Sequence, residues 1–166
     1  MNESKTKIIV TQAVIGALYV ALTAITYPIS FLGIQFRIAE MLILLCFFDR
    51  KNVIGITIGC VLVNLASSIG PIDALFGGLA TLISGLSVAF IPYLGIGLIL
   101  TIGINAFTVG GELYFILHEP FWISVGFVAL GETVVLLVAY IVAHVLKHRP
   151  NILNALNATQ NIDFKW

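Results

Sequence analysis

The sequence predicts an all-α integral membrane protein, a bundle of six transmembrane helices with both termini on the cytoplasmic side. Three observations carry this expectation. Hydrophobic residues make up 60% of the 166 and charged residues 10%, and mean hydropathy is +1.09, which leaves too little polar surface for a water-facing exterior. Polar or proline-containing turns divide the chain into apolar stretches, and about six spans of ~20 residues fit its length. On that plan Lys5, Lys7, Arg50, Lys51, Lys147, Arg149 and Lys165 fall on one side, which the positive-inside rule makes cytoplasmic. Residues 1–150 read as a single membrane domain and 151–166 as a short cytoplasmic tail. A formal charge of zero with no basic cluster gives no footing for nucleic acid.

The first helix is expected from about Ile8 to Tyr27, stopped by Pro28. Its Lys5 and Lys7 before an apolar run resemble a signal peptide, but no small-residue cleavage site follows. Ala13, Ala17 and Ala21 stand four apart and make a small-residue stripe, suited to close helix approach either within the bundle or against a partner. A loop over 28–35 leads to a second helix ending near Phe48. Started at Phe36, this helix is only about 20 Å long, short of the ~30 Å hydrocarbon core. The polar turn Asp49–Asn52 precedes a third helix, about Val53 to Ile69. Gly70-Pro71 turns the chain into a fourth, about Ile72 to Ile91, and Pro92-Tyr93 into a fifth, about Leu94 to Gly110. Residues 110–120 read as a loop carrying Glu112, His118 and Glu119. The sixth helix, about Pro120 to Leu146, begins with Phe121-Trp122 at the membrane interface. Cys46 and Cys60 fall in apolar stretches and read as buried small hydrophobes, not a disulfide or metal pair.

Polar groups inside these spans are the candidate site, because charge in lipid is costly and marks a pathway or pocket. Arg37 and Glu40 share the first turn of the second helix and can pair. The plainer alternative is a headgroup-level helix end with Arg37 snorkelling. Asn64 is expensive to leave unpaired in the third helix, while Asp73 also suits the positive end of its own helix. Thr101, Asn105, Thr108 and Glu112 recur on one face of the fifth helix, and Glu132 lies well inside the sixth with no sequence-local basic partner. Together they predict a carboxylate-rich, amide-rich pocket open to the outside, suited to a ligand with several N–H donors or a positive charge. No glycine loop for phosphates, inverted repeat or catalytic constellation is visible, so a binding subunit energised by partners fits best, with no catalytic residue, metal or cofactor of its own.

The run Ile34-Gln35-Phe36-Arg37-Ile38-Ala39-Glu40, the segment Asn64, Gly70-Pro71, Asp73, Phe76-Gly77, and Gly131-Glu132 resemble the QueT family. The resemblance covers roughly residues 10 to 146. It implies a substrate-binding S component of an energy-coupling-factor transporter in a bacterial plasma membrane, partnered by one transmembrane coupling subunit and two ATPases that use the ATP. The implied ligand is a queuosine precursor of the deazaguanine class. The alanine stripe resembles the motif by which such components dock on the coupling subunit. For that ligand Arg37, Glu40, Asn64, Asp73, Asn105, Glu112 and Glu132 supply the polar contacts, and Trp122, Phe36 or Tyr114 an aromatic slot for the ring. An S component for another vitamin or nucleobase, and a self-sufficient proton-coupled transporter switched by Glu132, are the rival readings.

Overall fold

Six helical segments alternate in direction through residues 5–26, 36–149 and 151, which the computed structural model describes. They are α1 (Lys5–Ile25), a 3₁₀ stretch (Ile38–Ile43) running straight into α2 (Leu44–Phe48), α3 (Asn52–Asn64), α4 (Pro71–Phe90), α5 (Leu94–Leu117) and α6 (Phe121–Lys147). The connections between α2 and α6 are so short that neighbours must run antiparallel, and close approaches fix the register. Gly78 meets Val61, Gly97 meets Val88 and Gly110 meets Val125. On this alternation the start of α1 and the end of α6 share one end of the bundle with residues 49–51 and 91–93.

Four helices, α1, α4, α5 and α6, are long and apolar enough to cross a membrane. The segments 38–48 and 52–64 are shorter, each roughly 20 Å at the usual rise per residue. The first of them is central: it packs against α1, α3, α4 and α6, and Ala39, Ile43, Cys46 and Phe48 are fully buried. Outward faces carry Ile9, Val14, Ile58, Leu79, Phe107, Phe115 and Leu137, exposed and apolar. Such a surface is that of a multi-pass membrane protein, with lipid as the outer solvent. Cys46 and Cys60 are both free and buried, as read from the sequence.

Two boundaries differ from the sequence reading. α3 stops at Asn64 instead of Ile69, because residues 65–70 turn back on themselves. The Ser67 N–H donates to Asn64 O (3.0 Å), the Gly70 N–H donates to the Ser67 hydroxyl (3.1 Å), and Gly70 takes a φ of 50°. α5 continues seven residues beyond Gly110, so Glu112 is helical and not in a loop. Gly110 is there for closeness: a Cβ on it would stand 2.6 Å from Val125 Cγ2 and 3.0 Å from Val125 Cα on α6. The true stop is His118, left-handed at φ 58°, with Glu119 N–H donating to Leu113 O at 3.2 Å. The expected loop over 28–35 and the tail beyond residue 151 lie outside the described residues.

α1 joins α3 through glycine. A Cβ on Gly59 would lie 2.8 Å from both Gly16 O and Tyr19 Cβ, and one on Gly55 would lie 2.6 Å from Gln12 O. Gln12 locks this joint, its Oε1 accepting from Gly55 N–H (3.1 Å) and its Nε2 donating to Asn52 Oδ1 (3.1 Å). We therefore expect Gly59→Ala to lower thermal stability in detergent by about 1–3 kcal/mol, the usual cost of overpacking. An unchanged melting temperature would mean that the two helices can separate freely.

Candidate functional site

The 3₁₀ stretch brings Arg37 and Glu40 into the middle of the bundle, where α1, α3, α4 and α6 converge on them. Arg37 is buried, and its Nη2 reaches Asp73 Oδ1 at 3.5 Å, so the ion pair crosses to the first turn of α4. Glu40 lies within electrostatic range of Arg37, as the sequence spacing allowed, but its hydrogen bonds go elsewhere. Its Oε1 accepts from the Tyr19 hydroxyl at 2.6 Å and from Thr81 Oγ1 at 3.4 Å. Asn64, last residue of α3, donates from Nδ2 to Asp73 O (3.3 Å) and to Cys60 Sγ (3.4 Å). Gly77 makes room for this arrangement, since a side chain there would collide with the Asn64 amide and stand 3.5 Å from Arg37 Nη1. Arg37, Glu40, Asn64 and Asp73 are thus one cluster.

α5 and α6 add the second half. Glu112 is 1% exposed and within electrostatic range of Asp73 and Arg37. Glu132, 3% exposed, faces Glu40 and Arg37 with Asn105 beside it. Thr101 does not join them, because its hydroxyl donates to Gly97 O (3.0 Å) in its own helix. Among the described side chains Arg37 is the one buried cation, set against the four carboxylates of Glu40, Asp73, Glu112 and Glu132. Among the described residues, Glu40 Oε2, Glu112 Oε1 and Glu132 Oε2 have no hydrogen-bond partner, and neither has the amide nitrogen Asn105 Nδ2. Buried polar atoms are normally satisfied, so three such carboxylate acceptors and an amide donor near one guanidinium are chemistry kept for something else. It suits a small ligand rich in N–H donors, or a cation.

Trp122 does not belong to this site. It is 74% exposed and stacks edge-on against Phe121 with ring centroids 5.1 Å apart. The inward face of α6 carries Val125, Val128 and Glu132, and Trp122 is rotated away from that face by the helical period toward lipid. Tyr114 is likewise 45% exposed, while Phe36, next to Arg37, is half-buried. Two residues in the cluster were not anticipated, Tyr19 and Thr81. Tyr19 was nonetheless legible, for Gln12, Tyr19 and Thr23 make a polar stripe along the buried face of an otherwise apolar α1.

The alanine stripe lies on the other side of α1. Ala13, Ala17 and Ala21 are all exposed, and the packing of α1 on α3 uses Gly16, Gly55 and Gly59 instead. The alanines line a shallow apolar groove of about 790 Å³ together with Ile54, Ile58 and Leu62 of α3.

An apolar helical bundle with a buried, acid-rich polar cluster fits the class of multi-pass membrane transport proteins. The chain belongs to the QueT transporter family, whose model matches residues 9–148. It is 35% identical over 157 residues to the queuosine precursor transporter QueT of Lactococcus lactis subsp. cremoris (strain MG1363), covering 80% of this chain and 87% of that one. No solved structure matches it.

Proposed function

We propose that the chain is the high-affinity substrate-binding membrane subunit, the S component, of an energy-coupling-factor importer for a queuosine precursor. The ligand class is a 7-deazaguanine, such as the 7-aminomethyl form or queuine. Membership of the QueT family and the name of the Lactococcus relative support the substrate class. The observation that carries the reading to this chain is the set of unpartnered carboxylate oxygens around Arg37. A guanine-type edge offers a ring N–H and an exocyclic amine to such acceptors, and an aminomethyl substituent adds a cation for a second acid.

The sites divide between two tasks. Arg37, Glu40, Asn64, Asp73, Asn105, Glu112 and Glu132 form the ligand site, and Ala13, Ala17 and Ala21 dock on a coupling subunit that works with two ATPases. The termini and the basic residues at their end of the bundle face the cytoplasm of a bacterial cell. Ligand is captured from outside, the bundle tilts against its partner, and release inward is driven by ATP hydrolysis in the ATPases. No catalytic step is assigned to this chain.

Mass spectrometry of the small molecule that co-purifies, followed by calorimetric titration with 7-aminomethyl-7-deazaguanine, queuine and unrelated vitamins, tests the proposal. Tight binding confined to deazaguanines supports it, and tight binding of another vitamin or nucleobase instead replaces the substrate class. The depth of Glu132 favours one further reading, a self-sufficient proton-coupled transporter. Proton-driven flux through liposomes holding this chain alone would establish that alternative, and strict dependence on the partner subunits would reject it.

A further inference from the structure

Glu40 is held by one oxygen only. Its Oε1 accepts from two hydroxyls, that of Tyr19 from α1 at 2.6 Å and that of Thr81 from α4 at 3.4 Å. Its Oε2 is fully buried and takes none. Tyr19, Glu40 and Thr81 are each 1% exposed, so water does not compete for these bonds at the surface of the protein. Two donors from different helices on a single oxygen fix the rotation of the carboxylate, and with it the direction in which the second oxygen points. Arg37 and Glu132, both already placed in the ligand site, lie within electrostatic range of the Glu40 carboxylate.

Such an arrangement is more than a brace. A carboxylate meant only to tie α1 to the bundle would offer both oxygens to donors of the chain, because a buried acceptor left alone is costly. We propose that Tyr19 and Thr81 are positioning residues that pin Glu40 through Oε1 so that Oε2 accepts a hydrogen bond from an N–H of the ligand. The proposal rests on the binding role argued above and adds two residues to it. Glu40 then contacts ligand, and Tyr19 and Thr81 act through Glu40 without touching it. Their shares are unequal. The Thr81 hydroxyl has one proton and also stands 3.1 Å from Cys60 Sγ, so its hold on Glu40 is divided, whereas the Tyr19 bond at 2.6 Å is much the shorter.

A double-mutant cycle read by calorimetric titration with 7-aminomethyl-7-deazaguanine separates positioning from packing. Glu40→Gln should weaken binding at least tenfold and Tyr19→Phe about tenfold, as expected for a hydrogen bond to a charged group. The double variant should bind about as weakly as Glu40→Gln alone, because a residue that acts through another has nothing left to position. Thr81→Val should repeat the pattern with a loss of roughly threefold, by the same conversion. Losses that multiply in the double variant would assign Tyr19 a purely structural role and overturn the proposal, as would wild-type affinity in Glu40→Gln. Should Tyr19→Phe fail to fold, the Thr81→Val cycle decides by the same criterion. A wild-type chain that ignores this ligand overturns the ligand assignment and this proposal with it. A wild-type chain that binds while Glu40→Gln is unaffected overturns this proposal alone.

Discussion

Glu112→Gln and Glu132→Gln are each expected to weaken binding of the 7-deazaguanine ligand by at least tenfold while the protein stays folded. Both side chains are buried, and each has an oxygen, Glu112 Oε1 and Glu132 Oε2, with no hydrogen-bond partner among the described residues. Arg37, the one buried cation among the described side chains, is already engaged with Asp73 at 3.5 Å. A ligand bringing N–H donors or an ammonium would supply what these acids lack, so binding should gain most from them. Truncating a buried charged partner typically costs ~2–5 kcal/mol, or roughly 30-fold to several-thousand-fold in affinity. The amide keeps the size and loses the charge, and the unpartnered oxygen holds nothing inside the fold, so stability should be kept or raised. Asp73→Asn is the contrast, since it strips the buried Arg37 of an ionic partner and should mainly lower the melting temperature. Calorimetric titration and thermal melts of the three variants decide the matter. Near-wild-type affinity in both glutamate variants would move the site toward Glu40, Asn64 and Asp73.

The sequence made the solvent, the helical class and most members of the buried polar cluster legible, because charges and amides in lipid have few innocent explanations. Arg37, Glu40, Asn64, Asp73, Asn105, Glu112 and Glu132 stood out against an apolar background and are all buried together or close by. Pairing was less legible than membership. The spacing of Arg37 and Glu40 suggested partners within one turn, yet the 3₁₀ geometry and the central position of that stretch send Arg37 to α4 and Glu40 to α1. No local rule foretells which helices surround a short central segment. Glycine was ambiguous in the same way. Gly110-Gly111 read as a helix stop, but Gly110 serves helix contact and His118 ends α5. Trp122 was misplaced for a different reason: α6 is apolar all round, so hydrophobicity could not orient it, although counting ten residues back from Glu132 places Trp122 well off the inward face.

Ala17→Phe is expected to abolish transport and leave ligand binding unchanged. The sequence left two uses open for the stripe Ala13, Ala17 and Ala21, packing inside the bundle or approach by another helix. Within the chain the first is taken by Gly16, which sits against Gly55 and Gly59, while the three alanines face outward. A phenylalanine at position 17 would therefore disturb no internal contact of α1. It would instead fill the shallow groove that the alanines form with Ile54, Ile58 and Leu62. Membrane helices associate by close backbone approach over small residues, without a hydrophobic driving force, so one bulky ring in that groove is enough to hold a partner helix away. The ligand cluster hangs on the opposite side of α1 through Tyr19, which is 1% exposed, and should not register the change. Ala17→Gly, which keeps the groove open, should transport normally. Uptake of labelled precursor in proteoliposomes with the coupling subunit and ATPases, beside co-purification of those subunits with each variant, makes the measurement. Normal uptake and co-purification of Ala17→Phe would leave the alanine stripe as an ordinary lipid-facing surface and overturn its proposed docking role.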